Sequence, residues 1–74
     1  MEVRAELSAS VWQVKVEAGQ QVAVGDTLVI LESMKMEIPV EAERAGVVRE
    51  VLVKPDDLVQ QGDPLVMLET TASS

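Results

Sequence analysis

Val22-Ala23-Val24-Gly25-Asp26-Thr27-Leu28-Val29-Ile30-Leu31-Glu32 recurs 37 residues later as Val59-Gln60-Gln61-Gly62-Asp63-Pro64-Leu65-Val66-Met67-Leu68-Glu69. Each copy is a turn signal, Gly-Asp, followed by an aliphatic run too short for a helix and closed by glutamate. The same shift lays Val3–Glu32 over Val40–Glu69 without a gap, and 13 of the 30 positions are identical, among them Val11/Val48, Val14/Val51 and Val16/Val53. Self-similarity at this level in so short a chain predicts two equal halves, neither able to bury its apolar face alone. The architecture that satisfies this is a β-sandwich with pseudo-twofold symmetry.

Around the repeat, short Val-rich runs alternate with turn signals about every ten residues, which is the all-β pattern. Strands are predicted at Glu2–Leu7, Val11–Val16, Gln21–Val24, Leu28–Ser33, Met36–Ala42, Gly46–Val53, Leu58–Gln61 and Leu65–Glu69. The continuous Leu28–Leu31 run reads as a central strand covered on both sides. Turns fall at Ala18-Gly19, Val24-Gly25-Asp26, Ala45-Gly46, Lys54-Pro55-Asp56-Asp57 and Gln61-Gly62-Asp63-Pro64, each with Gly, Pro or Asp to set an unusual backbone angle. Residues 1–70 form one domain, and 71–74 read as a frayed polar tail that begins near Thr70.

The chain has 74 residues and no Cys or His, so neither a disulfide nor a zinc site of the usual ligands braces it. Stability has to come from aliphatic packing, at roughly 1.5–3 kcal/mol per well-buried side chain. Net charge is −7, with 6 acids and 3 bases in residues 1–37 and 7 and 3 in residues 38–74. An evenly acidic surface argues against nucleic acid and anionic lipid as partners. No apolar run approaches a membrane span, and Met1-Glu2-Val3-Arg4 is not the start of a signal peptide. A cytoplasmic protein, monomeric in isolation, is the default expectation.

The repeats meet at Ser33–Pro39. Its pseudo-twofold counterpart is the gap between the chain ends, so the ends should lie together, at the opposite pole from Met34-Lys35. Strand signals flank Met34-Lys35 on both sides, which makes a two-residue hairpin loop the economical reading. Such loops favour positive φ and commonly use Asn-Gly. Most other corners of this chain have turn residues, yet this one has Met-Lys. Strain of this kind tends to be kept at functional sites. A lone lysine in a β-domain is ordinarily a solvated surface residue. Position at the repeat junction, absent turn residues and two exposed apolar methionines together point instead to chemistry. A free ε-amine on a long stem can be acylated by an activated carboxylate, giving a neutral amide and a flexible arm.

Glu32-Ser33-Met34-Lys35-Met36-Glu37 resembles the Glu-Ala-Met-Lys-Met motif of biotinyl domains, the carboxyl carriers of biotin-dependent carboxylases. The resemblance extends over nearly the whole chain, including Gly25-Asp26, Gly62-Asp63 and Gly46-Val47. It implies a flattened barrel of two four-stranded antiparallel sheets, with biotin carried covalently on Lys35. Met34 and Met36 then correspond to the methionines linked to recognition and efficient carboxyl transfer, with Glu32, Ser33 and Glu37 completing the hairpin. The implied partners are a biotin–protein ligase, a biotin carboxylase and a carboxyltransferase. Ser33 replaces the common Ala. Leu7-Ser8-Ala9-Ser10 stands where many members have Met-Pro-Gly, and no thumb segment is inserted. In these respects the chain looks more like free-standing biotin/lipoyl attachment proteins or the carrier segment of urea carboxylases.

Lipoyl domains share the hairpin lysine but usually have Asp before it and Ala or Val after it, so a lipoyl carrier, or an acceptor of both cofactors, is the alternative reading. An unmodified interaction module is a third. Trp12, the only aromatic residue, reads as partial packing rather than a docking site, and Glu32 and Glu37 as solvated strand ends. With no Ser–His or Cys–His pair and no paired carboxylates, the chain reads as non-catalytic.

Overall fold

A computed structural model describes residues 1–70; the predicted tail, 71–74, lies outside the described residues. Eight strands follow in order: β1 (Glu2–Arg4), β2 (Ala9–Val14), β3 (Gln21–Val22), β4 (Thr27–Ser33), β5 (Met36–Glu41), β6 (Gly46–Val51), β7 (Leu58–Val59) and β8 (Pro64–Thr70). They form two antiparallel four-stranded sheets, β1-β8-β6-β3 and β5-β4-β2-β7. All eight predicted strands exist, most of them shorter than read. Thr70, placed by the sequence at the start of the tail, ends β8 opposite Gly46.

The repeat is obeyed in detail. β2 and β6, β3 and β7, and β4 and β8 are offset by 37 residues at both ends, and each sheet order maps onto the other under that shift. The irregularities repeat too. β2 slips against β4 between Val11 and Gln13, and β6 slips against β8 between Val48 and Glu50. The Gly-Asp corners are built alike: Gly25 has φ 92° and Gly62 φ 94°. Asp26 Oδ2 accepts from Ala23 N at 2.8 Å, and Asp63 Oδ2 from Gln60 N at 2.9 Å. Gly25 N and Gly62 N then donate to Ala42 O and Ala5 O across the interface between halves. Each Asp thus closes a local turn with its side chain, and its neighbouring glycine supplies the left-handed angle the turn demands.

Both sheets bury one face in a common aliphatic core centred on Val11, Leu28, Val29 and Leu31 and their equivalents Val48, Leu65, Val66 and Leu68. The expectation that β4 is covered on both sides needs correction. Leu28 and Val29 are both fully buried, but Ile30 is half-buried and Glu32 exposed. The register of β4 against β5 slips between Thr27 and Val29. The extra residue of this bulge breaks alternation and turns two successive side chains inward. A continuous apolar run here reflects a bulge on a one-faced sheet.

Gly46 also differs from its reading as a left-handed turn residue. It opens β6 with no positive φ, and a Cβ added there would lie 2.4 Å from the Glu69 carbonyl oxygen. Its role is close approach of two backbones, and the obstructing atom cannot swing aside. Gly46→Ala is therefore expected to cost about 1–3 kcal/mol, the usual range for overpacking. Urea denaturation would read this as a lower midpoint at unchanged slope.

The start of the chain and the end of β8 meet as the repeat requires. The Met1 amino group donates to Leu68 O at 2.7 Å, and Leu68 N returns a bond to Met1 O at 2.8 Å. Leu31 and Ile38, the equivalents of this pair, face each other between β4 and β5. Thr27, where β4 starts, pairs with Glu41 just before the loop to Gly46, and Gly46 pairs with Thr70. From that end, β4 runs about 20 Å to its other end at Ser33. The hairpin at 34–35 and the junction of Met1 with β8 occupy opposite poles.

Candidate functional site: the hairpin at Lys35

β4 and β5 stay in register from Val29↔Val40 to Ser33↔Met36, leaving Met34 and Lys35 as a two-residue loop. Both adopt left-handed backbone angles, φ 53° and 65°. Positive φ at both central residues is the feature of the type I′ hairpin, whose twist matches that of the flanking strands. With non-glycine side chains it costs of order 1 kcal/mol per residue, and the five residue pairs in register beneath hold the loop in that form. The only other non-glycine residue with positive φ among the described residues is Asp56, φ 77°, where the first half has Gly19.

The tip projects freely. Met34 is 91% exposed and Met36 63%, although Met36 sits at the rim of the inner face, in line with Ile38 and Val40. Lys35 is exposed and makes no ion pair among the described residues. Ser33, half-buried, faces Met36 across the strand pair. One step down, Glu32 and Glu37 lie directly opposite each other, both exposed. Like charges facing across a ladder are unfavourable, so this pair is not there for stability. All six residues singled out in the sequence gather at one hairpin.

The arrangement fits acylation of the lysine. The amine stands on a flexible stem, and among the described residues no carboxylate lies at ion-pair distance to compete for it. A modifying enzyme can approach from several sides, and two bare methionines offer a pliable apolar contact on either side of the root. Among the described residues, no group of three or more His, Cys, Asp or Glu could hold a metal ion. Nor do the described residues include a helix long and apolar enough to cross a membrane.

The family described as Biotin-requiring enzyme matches residues 3–68, nearly the full span of the two halves. The chain belongs to this biotin/lipoyl attachment family. It is 45% identical over 71 residues to the Biotin/lipoyl attachment protein of Bacillus subtilis (strain 168), covering 96% of this chain and 97% of the relative. It is 52% identical over 67 residues to the Biotinylated protein TB7.3 homolog of Mycobacterium leprae (strain TN), covering 90% and 94%. Among solved structures, a single-chain, multi-domain long-chain acyl-CoA carboxylase contains a match with TM-score 0.89 and 38% identity. That match covers 97% of this chain and 7% of the carboxylase. The same fold thus occurs as a small part of a large carboxylase.

Proposed function

We propose that this chain is a biotin carboxyl carrier in which Lys35 is the attachment point. The carrying observation is the Met34-Lys35 tip, an exposed amine held by a strained two-residue loop at the pole away from the chain ends. The neutral Nζ of Lys35 would attack the carboxyl carbon of biotin that a biotin–protein ligase has activated, displacing the activating group and releasing a proton to leave an amide. When bound, biotin supplies a ring nitrogen that accepts and releases a carboxyl group. The chain's own contribution is placement. The lysine stem supplies reach and free rotation, while the β4–β5 ladder fixes the root.

Holding the arm on a small carrier raises its local concentration at a biotin carboxylase site and then at a carboxyltransferase site. Met34 and Met36 form the apolar contacts that a ligase grips around the amine, with Glu32, Ser33 and Glu37 shaping the hairpin beneath. The chain performs no bond chemistry of its own. Support comes from the Mycobacterium leprae relative, named a biotinylated protein, and from the carboxylase that contains this fold.

A second reading, lipoate on the same lysine, draws on the name of the Bacillus subtilis relative. The paired methionines weigh toward biotin. The test is intact mass and peptide mapping after incubation with a purified biotin–protein ligase, and separately with a lipoate ligase. We expect one biotinyl amide on the peptide containing Lys35 and little lipoylation. A chain left at its unmodified mass by the biotin ligase, or preferring lipoate, overturns the proposal.

A further inference from the structure

Sulfur in this chain is confined to four methionines, since there is no cysteine. Their side chains are placed very unequally. Met34 is 91% exposed and Met36 63%, whereas Met1 is 46% exposed at the opposite pole and Met67 is half-buried in β8. None of the four is among the buried core residues or the apolar residues packed against them. The two thioethers most open to solvent are the two that border Lys35.

Exposure makes a thioether reactive as well as pliable. Its sulfur is a nucleophile that attacks one oxygen of hydrogen peroxide, and the O–O bond breaks. The hydroxide released takes the proton left on the transferred oxygen and departs as water. Sulfur is oxidised by two electrons, the peroxide is reduced, and the product is a methionine sulfoxide. A flexible apolar side chain becomes polar and chiral, with an S–O group that favours water over an apolar contact. A methionine sulfoxide reductase reverses the change, with two thiols oxidised to a disulfide as the oxygen leaves in water.

We propose that Met34 and Met36 form a reversible peroxide-modified site, and that their sulfoxides block the loading of biotin onto Lys35. The inference rests on the carrier reading of Lys35. Location decides the consequence. Neither side chain belongs to the core, so oxidation removes no core contact and leaves both sheets intact. What it removes is the apolar surface on either side of the amine. A ligase has to bring Lys35 Nζ itself to its reaction centre, and it meets both methionines in doing so. The exposure that admits peroxide also admits the reductase, so loading can resume once the oxidant is gone.

The test treats the unmodified chain with hydrogen peroxide, destroys the excess with catalase, and then adds a purified biotin–protein ligase. Peptide mapping should find oxygen at Met34 and Met36 before it appears at Met67. The initial rate of biotinylation should fall about fivefold or more, as for loss of a contact side chain. Reductases for both sulfoxide epimers should restore that rate. Thermal midpoints before and after oxidation should coincide. The Met34→Leu/Met36→Leu chain, whatever its own rate, should give the same rate with and without peroxide. A rate indifferent to oxidation of both methionines, a loss the reductases do not reverse, or a loss that tracks a falling thermal midpoint each overturns the proposal. So does peroxide sensitivity that persists in the double variant. If the untreated chain gains no biotin at Lys35, the carrier reading is refuted instead, so the two failures are distinguishable.

Discussion

Lys35→Arg is expected to leave a protein that folds like the parent and gains no mass in cells replete with biotin–protein ligase. The side chain is exposed and has no ion pair among the described residues, so its exchange disturbs neither packing nor pairing there. Arginine also keeps the positive charge at the tip. What it lacks is a nucleophile, because the guanidinium holds its proton at any physiological pH and offers no free amine. The expected contrast is all or none: one biotin per parent chain, none on the variant, and indistinguishable thermal midpoints. Biotin on the variant would place the acceptor elsewhere, with Lys15 and Lys54 the only other lysines.

The second large effect concerns the core and tests the symmetry itself. Leu31 and Leu68 occupy equivalent positions and are 0% and 1% exposed. Truncating either to alanine should cost about 2–5 kcal/mol, the range for a buried leucine whose surroundings relax only partly. At about 0.05–0.15 kcal/mol per residue, a domain of this size has about 4–11 kcal/mol in total, so either loss removes a large share of it. Each variant should therefore unfold at much lower urea, and the two losses should agree within about 1 kcal/mol, since equivalent backbones leave similar cavities. A gap of several kcal/mol would show that the halves share topology without sharing packing.

These expectations also mark how far the sequence alone reached. The strand count, the pairing of the chain ends and the placement of Met34-Lys35 at the far pole were all legible in the 37-residue repeat. A repeat is a one-dimensional signal, and a pseudo-twofold converts it directly into topology. The hairpin was legible because strand signals flank Met34-Lys35 on both sides, and the observed register from Leu31↔Ile38 to Ser33↔Met36 leaves those two residues to turn the chain. Lys35, Met34 and Met36 could then be identified as one exposed site before any coordinates.

What the sequence misassigned depends on atoms distant along the chain. Strand ends were read too long where the bulges and corners take over, as at Leu7 and Val53, both outside the strands. The continuous Leu28–Leu31 run suggests cover on both faces, but the slip beside Val29 turns Leu28 inward and leaves Ile30 half-buried. Gly46 was assigned to a turn, whereas its constraint is the Glu69 carbonyl from another strand. Leu58, grouped with the strand apolars, stands 85% exposed. Its signal was present as a mismatch with Gln21, but a mismatch has meaning only once both faces are known.

The doubled all-β scaffold and the lysine at the junction of its halves are written in the order of residues. Local turn chemistry and apolar period specify strands and corners without reference to distant residues. Which side chains face out is settled by folding, because bulges reset alternation and cross-strand register brings Glu32, Glu37, Ser10 and Leu58 into one row. Facing is a property of pairing, and pairing joins residues far apart in the chain.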